Sequence, residues 1–396
     1  MTEEGEPDDR LLTAGDEYEV RSAGRVLIEV EATTRGWHVA TLEILEPYAL
    51  DKADRSRPFP VVDSVLSTLP NRQGDALNPL PSLAEIDAAA ALVYPHLQPT
   101  AQYRWPLLEQ QLGTSAWVKH ENHTPVGAFK IRGGLVYVEA LRARLPECRG
   151  VISATRGNHG QSIGLAARLH GLSATIVVPR GNSREKNAAM QALGVELVEW
   201  GDDFQEAREY AAQLASEREL HMIPAFHPNL VLGVATYWTE LLRAVPDLNV
   251  LFVPIGQGSG ICAAVAAREA LRHPARIIGV VSSHAEAYAL SFEKRRHCTA
   301  PATTRVADGM GCRVPDEGAL EIIWAHVDEV LRVTDAEVLE AMRTYYVTTH
   351  NVAEGAGAAA LAGAMQIRDR IRGQQVALTL SGGNVDRELF AEAILG

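Results

Sequence analysis

Lys130 is the residue of this sequence whose setting most favours nucleophilic chemistry. It lies between Phe129 and Ile131, and glycines stand on both sides of this apolar segment, at positions 127, 133 and 134. Removing an amine from water lowers its pKa, which makes the neutral, nucleophilic form available near pH 7. A surface lysine whose methylene chain lies over a hydrophobic patch would give the same local pattern. The choice between these interpretations depends on the other loops of the chain.

A first such loop, residues 153–161, leaves a predicted strand and opens a predicted helix, so that Asn158 stands at a helix N-terminus. The amide of Asn158 can hydrogen-bond an aromatic hydroxyl, and the free N–H groups of the helix can hold a carboxylate. A polar helix start with no ligand explains the same residues equally well.

Two further loops have the same position between a strand and a helix. Residues 256–260 read G-Q-G-S-G, and such glycines let successive N–H groups converge on an anion. This is a candidate phosphate cradle, although it matches neither a dinucleotide fingerprint nor a P-loop. In the other loop, residues 380–384, Ser381 could donate a hydrogen bond to a ring nitrogen, or simply cap the next helix.

Together these four features match the four polar groups of pyridoxal phosphate. The lysine amine suits the aldehyde carbon, the asparagine amide the phenolic oxygen, the glycine loop the phosphate and the serine hydroxyl the pyridine nitrogen. Their coincidence in one chain is much less probable by chance than any one of them, so the sequence predicts a pyridoxal phosphate site.

The elements that must position these groups alternate along the chain from Ser82 onward. Short apolar runs predict strands at 150–154, 174–178, 196–199, 250–255, 277–282 and 376–380. Amphipathic stretches predict helices at 82–91, 160–170, 185–193, 203–220, 230–245 and 261–271. Such alternation predicts an α/β fold with parallel sheets covered by helices, in which ligands bind at the carboxyl ends of the strands.

Residues 1–80 differ from the rest. Two β-prone runs, 25–33 and 37–45, precede polar, proline-bearing stretches. We interpret this part as an appended β-rich element with a linker. Its sequence leaves capping, oligomer contact, regulation and a purely structural role open.

Composition limits the classes of partner. The 396 residues are 46% hydrophobic and 22% charged, which is typical of a globular chain. A net charge of −13 argues against nucleic acid or an anionic membrane as the main partner. The four cysteines are far apart, without zinc-ligand spacing, and we find neither a secretory signal nor a membrane span. We therefore expect a cytoplasmic protein with reduced thiols and a small-molecule ligand.

The motifs, taken in order, resemble the fold-type II pyridoxal-phosphate enzymes, whose fold is tryptophan synthase β-like, and within them the threonine/serine dehydratase (ammonia-lyase) family. The resemblance covers the chain from about residue 80 to its end. The segments that carry it are K-H-E-N at 119–122, G-A-F-K-I-R-G at 127–133, T-R-G-N-H at 155–159, P-I-G-Q-G-S-G at 254–260, E-G-A-G at 354–357 and S-G-G-N at 381–384.

The resemblance implies an architecture of two lobes, each with a parallel sheet, and the cofactor between them. The large domain would comprise residues 81–151 and 230–396, the small domain residues 152–229, and residues 1–80 would form the β-rich extension. It also implies a homodimer.

It further implies roles for individual residues. Lys130 would hold the cofactor covalently and remove the substrate α-proton, Asn158 would bind the phenolic oxygen, and Ser381 would face the ring nitrogen. Phe129 and Glu354 would also contact the cofactor. The phosphate would be held by Gly256, Gln257, Gly258, Ser259 and Gly260. The substrate carboxylate would be held by Thr155, Arg156, Gly157 and His159.

The reaction that these roles imply is β-elimination of water from a 3-hydroxy-L-amino acid, with threonine or serine first, to give a 2-oxo acid and ammonia. Alternatives are an ammonia-lyase for 3-hydroxyaspartate or another specialised 3-hydroxy amino acid, a β-replacement synthase on the same scaffold, and a cofactor-binding protein without turnover.

Three departures from the family pattern affect these expectations. Arg156 stands where the family commonly has a serine, which in its racemases acts as an acid, so racemisation is not expected. The arginine could contact a substrate carboxylate, pair with a carboxylate of the protein or point to solvent. Gln257 and Ser259 replace glycines that many members have in the phosphate loop. Residues 282–288 lack the Glu-Pro pair of metal-dependent members, so we expect no metal site.

Overall fold

The computed structural model describes residues 80–396 and, before them, the backbone of three strands. These strands are β1 (Glu17–Val20), β2 (Gly24–Thr33) and β3 (Gly36–Glu46), which form an antiparallel sheet in that order. The two β-prone runs expected from the sequence coincide with β2 and β3. The chain divides into two compact units, Met1–Pro60 and Val61–Gly396.

The second unit contains two separate sheets. Its strands are β4 (Gln102–Arg104), β5 (Ser115–His120), β6 (Gly150–Ala154), β7 (Ser173–Val178), β8 (Glu196–Glu199), β9 (His221–Met222), β10 (Val250–Pro254), β11 (Arg276–Ser282), β12 (Glu329–Val333) and β13 (Gln375–Leu380). One sheet has the order β12-β11-β10-β13-β5-β4 and is parallel except for β4. The other has the order β8-β7-β6-β9 and is parallel throughout.

Helices connect these strands and cover the sheets. They are α1 (Leu83–Val93), α2 (Pro106–Leu112), α3 (Lys130–Arg144), α4 (Asn158–Leu169), α5 (Arg184–Ala192), α6 (Phe204–Glu217), α7 (Pro228–Ala244), α8 (Ser259–Leu271), α9 (Ala287–Lys294), α10 (Glu317–His326), α11 (Asp335–Thr349), α12 (Gly355–Gln366) and α13 (Arg387–Leu395). The capping box predicted for α1 is present: the Ser82 hydroxyl accepts from the Glu85 N–H, and the Glu85 carboxylate accepts from the Ser82 N–H.

Strand β10 shows why the larger sheet is buried on both faces. Leu251 and Val253 pack into one hydrophobic core, whereas Val250 and Phe252 pack into another. Since successive side chains of a strand point to opposite faces, an unbroken apolar run requires cover on both sides. The α/β architecture with two parallel-sheet layers predicted from the sequence is confirmed. The proposed boundary between residues 151 and 152 falls inside β6, and the division into lobes stays a prediction.

A buried ion network fixes the first turn of α3, from which Lys130 projects. The Arg132 guanidinium donates to Glu121 at 2.8 Å and to Glu240 of α7 at 2.6 Å. Lys119 of β5 donates to the second oxygen of Glu240 at 2.5 Å. Two cations thus face two carboxylates, which satisfies groups that would be costly to bury alone.

Candidate active site

Lys130 begins α3 and its half-buried side chain lies in a cavity at the carboxyl ends of β6, β10 and β13. Its ammonium Nζ donates to the Ser259 hydroxyl at 2.9 Å and lies 5.1 Å from the centre of the Phe129 ring. Burial lowers the Lys130 pKa from 10.5 to about 8. The desolvation inferred from the apolar flanks is therefore present, and it raises the neutral fraction of the amine near neutral pH.

All of the site residues predicted from the sequence line this one cavity. They come from four separate segments: Phe129 and Lys130; Thr155, Arg156, Gly157, Asn158 and His159; Gly256, Gln257, Gly258, Ser259 and Gly260; Glu354 and Ser381.

The glycine loop forms an anion cradle at the start of α8. Gly258 caps this helix with a φ of +99°, and a side-chain carbon there would lie 2.6 Å from the Ala319 side chain. The first backbone bond inside the helix is donated by Cys262 to the Gly258 carbonyl. The preceding N–H groups of Ser259, Gly260 and Ile261 therefore have no acceptor within the helix and can bind phosphate.

Asn158 is held in one orientation by two partners. Its Nδ2 donates to the Glu354 carboxylate at 2.5 Å, while its Oδ1 accepts from Asn384 at 2.9 Å. Asn384 in turn donates to the Val126 carbonyl at 2.8 Å. One N–H of the Asn158 amide remains for a phenolic oxygen in the cavity.

His159 and Gln161 carry buried polar atoms with no partner in the described part of the chain. These atoms are the His159 Nε2 and the Gln161 Nε2. Burial, followed by the nearby Lys130 charge, lowers the His159 pKa to about 3 and keeps the imidazole neutral. Unsatisfied buried polar groups beside a cavity are typical of a site that binds a polar ligand.

Ser381 follows β13 and is nearly fully buried. Its hydroxyl lies 3.4 Å from the Ala356 carbonyl, which is a long contact, so a ring nitrogen could compete for it. The Ser381 carbonyl accepts from the Phe129 N–H at 3.0 Å. This bond joins the last strand to the segment that carries Lys130.

Lys186 and Asp308 also line the cavity, and sequence reasoning missed both. The Lys186 ammonium lies 2.9 and 2.8 Å from the two Asp308 carboxylate oxygens and 3.4 Å from Glu354. Helix α5 looks like an ordinary amphipathic surface helix in sequence. Only the structure shows that Lys186 reaches the site. Its chain packs against Gly157, where a side-chain carbon would lie 2.5 Å from it.

This cluster is electrostatically coupled. Burial lowers the Lys186 pKa, but the carboxylates of Asp308 and Glu354 more than offset it, and the net pKa is raised. Burial raises the Glu354 pKa. The Lys186 charge lowers this pKa and the Asp308 charge raises it, and the net pKa is raised. Lys186 is thus a fixed cation beside the two carboxyl groups.

The donor set fits pyridoxal phosphate. An amine of lowered pKa, an oriented amide, an anion cradle and a buried hydroxyl surround one cavity, and each matches one group of the cofactor. Within residues 80–396, no group of three or more His, Cys, Asp or Glu side chains is arranged to hold a metal ion. In the same residues, no helix has the length and apolar character needed to cross a bilayer.

Comparison with known proteins agrees with the site and the fold. The model of the family described as "Pyridoxal-phosphate dependent enzyme" matches residues 93–382, and the chain belongs to this family. Pyridoxal phosphate is the family's cofactor, and the fold is that of the fold-type II enzymes. The resemblance to the threonine/serine dehydratases is confirmed.

Individual relatives show how far the similarity extends. The chain is 32% identical to the biosynthetic L-threonine dehydratase of Haemophilus influenzae over 78% of its own length, and spans 61% of that protein. It is 31% identical to the L-threo-3-hydroxyaspartate ammonia-lyase of Saccharomyces cerevisiae, over 80% of this chain and 97% of that one. The processed threonine deaminase isoform 2 of Solanum lycopersicum has a similar structure, with a TM-score of 0.72, 27% identity and coverage of 79% of this chain and 93% of that one.

Proposed function

We propose that the protein is an ammonia-lyase that eliminates water from a 3-hydroxy-L-amino acid, threonine or serine first, to give a 2-oxo acid and ammonia. The observation that carries this proposal is the buried Lys130 amine, with its lowered pKa, in a cavity that also holds the anion cradle of α8. The names of the relatives support the same chemistry.

In this proposal each part of the site has a role. Bound pyridoxal phosphate withdraws electrons from the substrate α-carbon and so makes the α-proton acidic. Lys130 would hold the cofactor covalently and, as a neutral amine, would take the substrate α-proton. The N–H groups at the start of α4 hold the substrate carboxylate, and those of α8 hold the phosphate.

Asn158 and Ser381 set the electronic state of the ring. The remaining N–H of the oriented Asn158 amide donates to the phenolic oxygen. Since a serine hydroxyl cannot supply a full proton, Ser381 leaves the ring nitrogen neutral, which makes the ring a weaker electron sink. A cofactor held in this way would favour β-elimination, in which the α-proton and the β-hydroxyl of the substrate are lost together as water.

Other features of the proposal come from the sequence and the family resemblance. We propose a large lobe built from residues 81–151 and 230–396 and a small lobe from 152–229, which the two separate sheets support. A homodimer and a cytoplasmic location belong to the same proposal.

The test measures cofactor and turnover together. Purified protein supplied with pyridoxal phosphate should show a visible absorbance band that changes on addition of L-threonine or L-serine, while a 2-oxo acid accumulates. Turnover that requires a second nucleophile would favour β-replacement instead. A band that no 3-hydroxy amino acid changes would indicate a binding protein.

Lys130→Ala tests the assigned base. We expect the variant to lose at least about a thousandfold in kcat, because attachment and proton transfer both use the amine. Lys294→Ala, which removes an exposed lysine at the end of α9, is the matched control and should be fully active. Substantial activity in Lys130→Ala, with an unchanged circular dichroism spectrum, would refute the mechanism.

A further inference from the structure

Arg156 lies where the cavity meets two adjoining hollows. It follows β6, stands two residues before Asn158 and is half-buried. Arg156 lines the cavity and both hollows. The first hollow is formed mainly by residues 181–186, 304–308 and 384–392, and the second mainly by residues 203–208 and 311–314. A group at this junction can reach the part of a substrate that extends beyond the reacting carbons.

Several charged side chains that line these hollows already have partners. In the first hollow, Arg184 pairs with Glu388, Arg305 with Glu392, Lys186 with Asp308, and Asp386 accepts from the Ser183 hydroxyl. In the second hollow, Asp203 pairs with Arg313 and accepts from the Glu206 N–H. None of the carboxylates that line these hollows is paired with Arg156 within residues 80–396.

Arg156 itself forms no hydrogen bond or ion pair with any residue from 80 to 396. The second hollow also contains Arg208, whose side chain is exposed and has no such partner within the same residues. Three arginines and one aspartate line that hollow, in a chain whose net charge is −13. The local excess of positive charge favours an anionic ligand.

The substrate α-carboxylate has a different binding position. The first bond inside α4 is donated by Gln161 to the Gly157 carbonyl, so the N–H groups of Asn158, His159 and Gly160 have no acceptor within the helix. These three donors at a helix N-terminus suit the α-carboxylate. The guanidinium of Arg156 then remains for a second anion.

We propose that Arg156 binds a carboxylate on the β-carbon side of the substrate, so that the preferred substrate is a dicarboxylic 3-hydroxy amino acid of the 3-hydroxyaspartate type. The inference rests on the proposed β-elimination and narrows its substrate class. A planar guanidinium can bind such a carboxylate through two parallel hydrogen bonds, and partial burial strengthens them.

The experiment compares substrates that differ in one charge. L-threo-3-hydroxyaspartate and L-threo-3-hydroxyasparagine have nearly the same shape, and only the first has a β-carboxylate. For the wild-type holoenzyme we expect kcat/KM for 3-hydroxyaspartate to exceed that for 3-hydroxyasparagine at least about tenfold. Arg156→Gln should remove this preference by lowering kcat/KM for 3-hydroxyaspartate, and Arg156→Lys should retain part of it.

Two controls separate recognition from folding. Arg168→Gln removes an exposed arginine from α4 and should leave the preference unchanged. Maleate, a dicarboxylate that cannot react, should raise the Tm of the wild-type holoenzyme but not that of Arg156→Gln, with an unchanged cofactor absorbance band in both.

Failure of the proposed function and failure of the role of Arg156 give different results. If no 3-hydroxy amino acid gives a 2-oxo acid although the cofactor is bound, the proposed function fails. Turnover of L-threonine without a preference for the β-carboxylate overturns only the role of Arg156. An equal loss for L-threonine and 3-hydroxyaspartate in Arg156→Gln would place the guanidinium on the α-carboxylate and would also overturn the inference.

Discussion

Lys130 and Lys186 lie in the same cavity, yet their surroundings shift their pKa values in opposite directions. Burial alone acts on Lys130 and lowers its pKa to about 8. Lys186 is also desolvated, but Asp308 and Glu354 raise its pKa. The first lysine can therefore become a nucleophile, whereas the second stays a cation. The distinction depends on the presence of carboxylates and not on the depth of burial.

This difference predicts how cofactor uptake depends on pH. Only neutral Lys130 can attack the aldehyde, so the rate at which cofactor-free protein gains its visible absorbance should rise with pH and level off above about 8. A lysine of ordinary pKa would give a rate that still rises near pH 10. Stopped-flow absorbance across this range distinguishes the two outcomes, with free lysine and pyridoxal phosphate as the reference reaction.

Helices α4 and α8 both supply free backbone N–H donors at their first turn, and both begin after a glycine. Each begins directly after a glycine cap, Gly157 or Gly258, whose φ is +151° or +99°. The sequence predicts that these helices begin at 160 and 261, two residues too far along, because residues 158–159 and 259–260 belong to motifs that read as part of the preceding loops. The earlier starts bring Asn158 and Ser259 into the first helical turn, where free N–H groups face a ligand.

Gly258→Ala tests the cradle. The left-handed backbone and the close approach to Ala319 both oppose a side chain. We expect affinity for pyridoxal phosphate to fall at least about tenfold, measured by absorbance titration of the cofactor-free protein. Gly194→Ala is the matched control, because its φ is +85° and nothing lies within 4 Å of the added carbon. Equal affinity in the two variants would contradict the role of the cradle.

At the scale of the whole molecule, the Lys186–Asp308 ion pair joins distant parts of the chain. Lys186 is on α5, which connects two strands of the four-stranded sheet, whereas Asp308 follows β11 of the six-stranded sheet. Glu354 and Asn158 extend the connection across the cavity. The pair therefore contributes both to the site and to the contact between the two layers.

Lys186→Met should destabilise the protein, because it removes the cation that pairs with Asp308 and Glu354. Loss of the cation leaves the buried Glu354 and the partly buried Asp308 without their shared partner, and we expect the free energy of unfolding to fall by about 3 kcal/mol. The double variant Lys186→Met, Asp308→Asn should recover much of this loss, because the isolated charge is gone. Urea denaturation of the cofactor-free proteins provides the comparison. If the losses of unfolding free energy in Lys186→Met and Asp308→Asn simply add in the double variant, the two side chains are not energetically coupled.

The sequence predicts the local parts of this molecule well. Lys130 and the three loops are short motifs, and the chemistry of each is legible from its own residues. Strands β5 and β12 were missed because polar residues such as Lys119, His120 and Arg332 interrupt their apolar pattern. The Lys186–Asp308 pair and the partners of Asn158 could not be predicted, because they depend on contacts between segments more than 100 residues apart.

Strand β13 lies between β10 and β5 in the six-stranded sheet, although it is the last strand in the chain. During synthesis, both neighbours emerge from the ribosome long before it does, and their inner edges have no partner until residues 375–380 are available. Ser381 is the next residue after β13, so the sheet and the candidate active site are completed together, late in synthesis. A chain truncated before this strand would keep two open sheet edges, at β10 and β5, which are prone to pair with other chains.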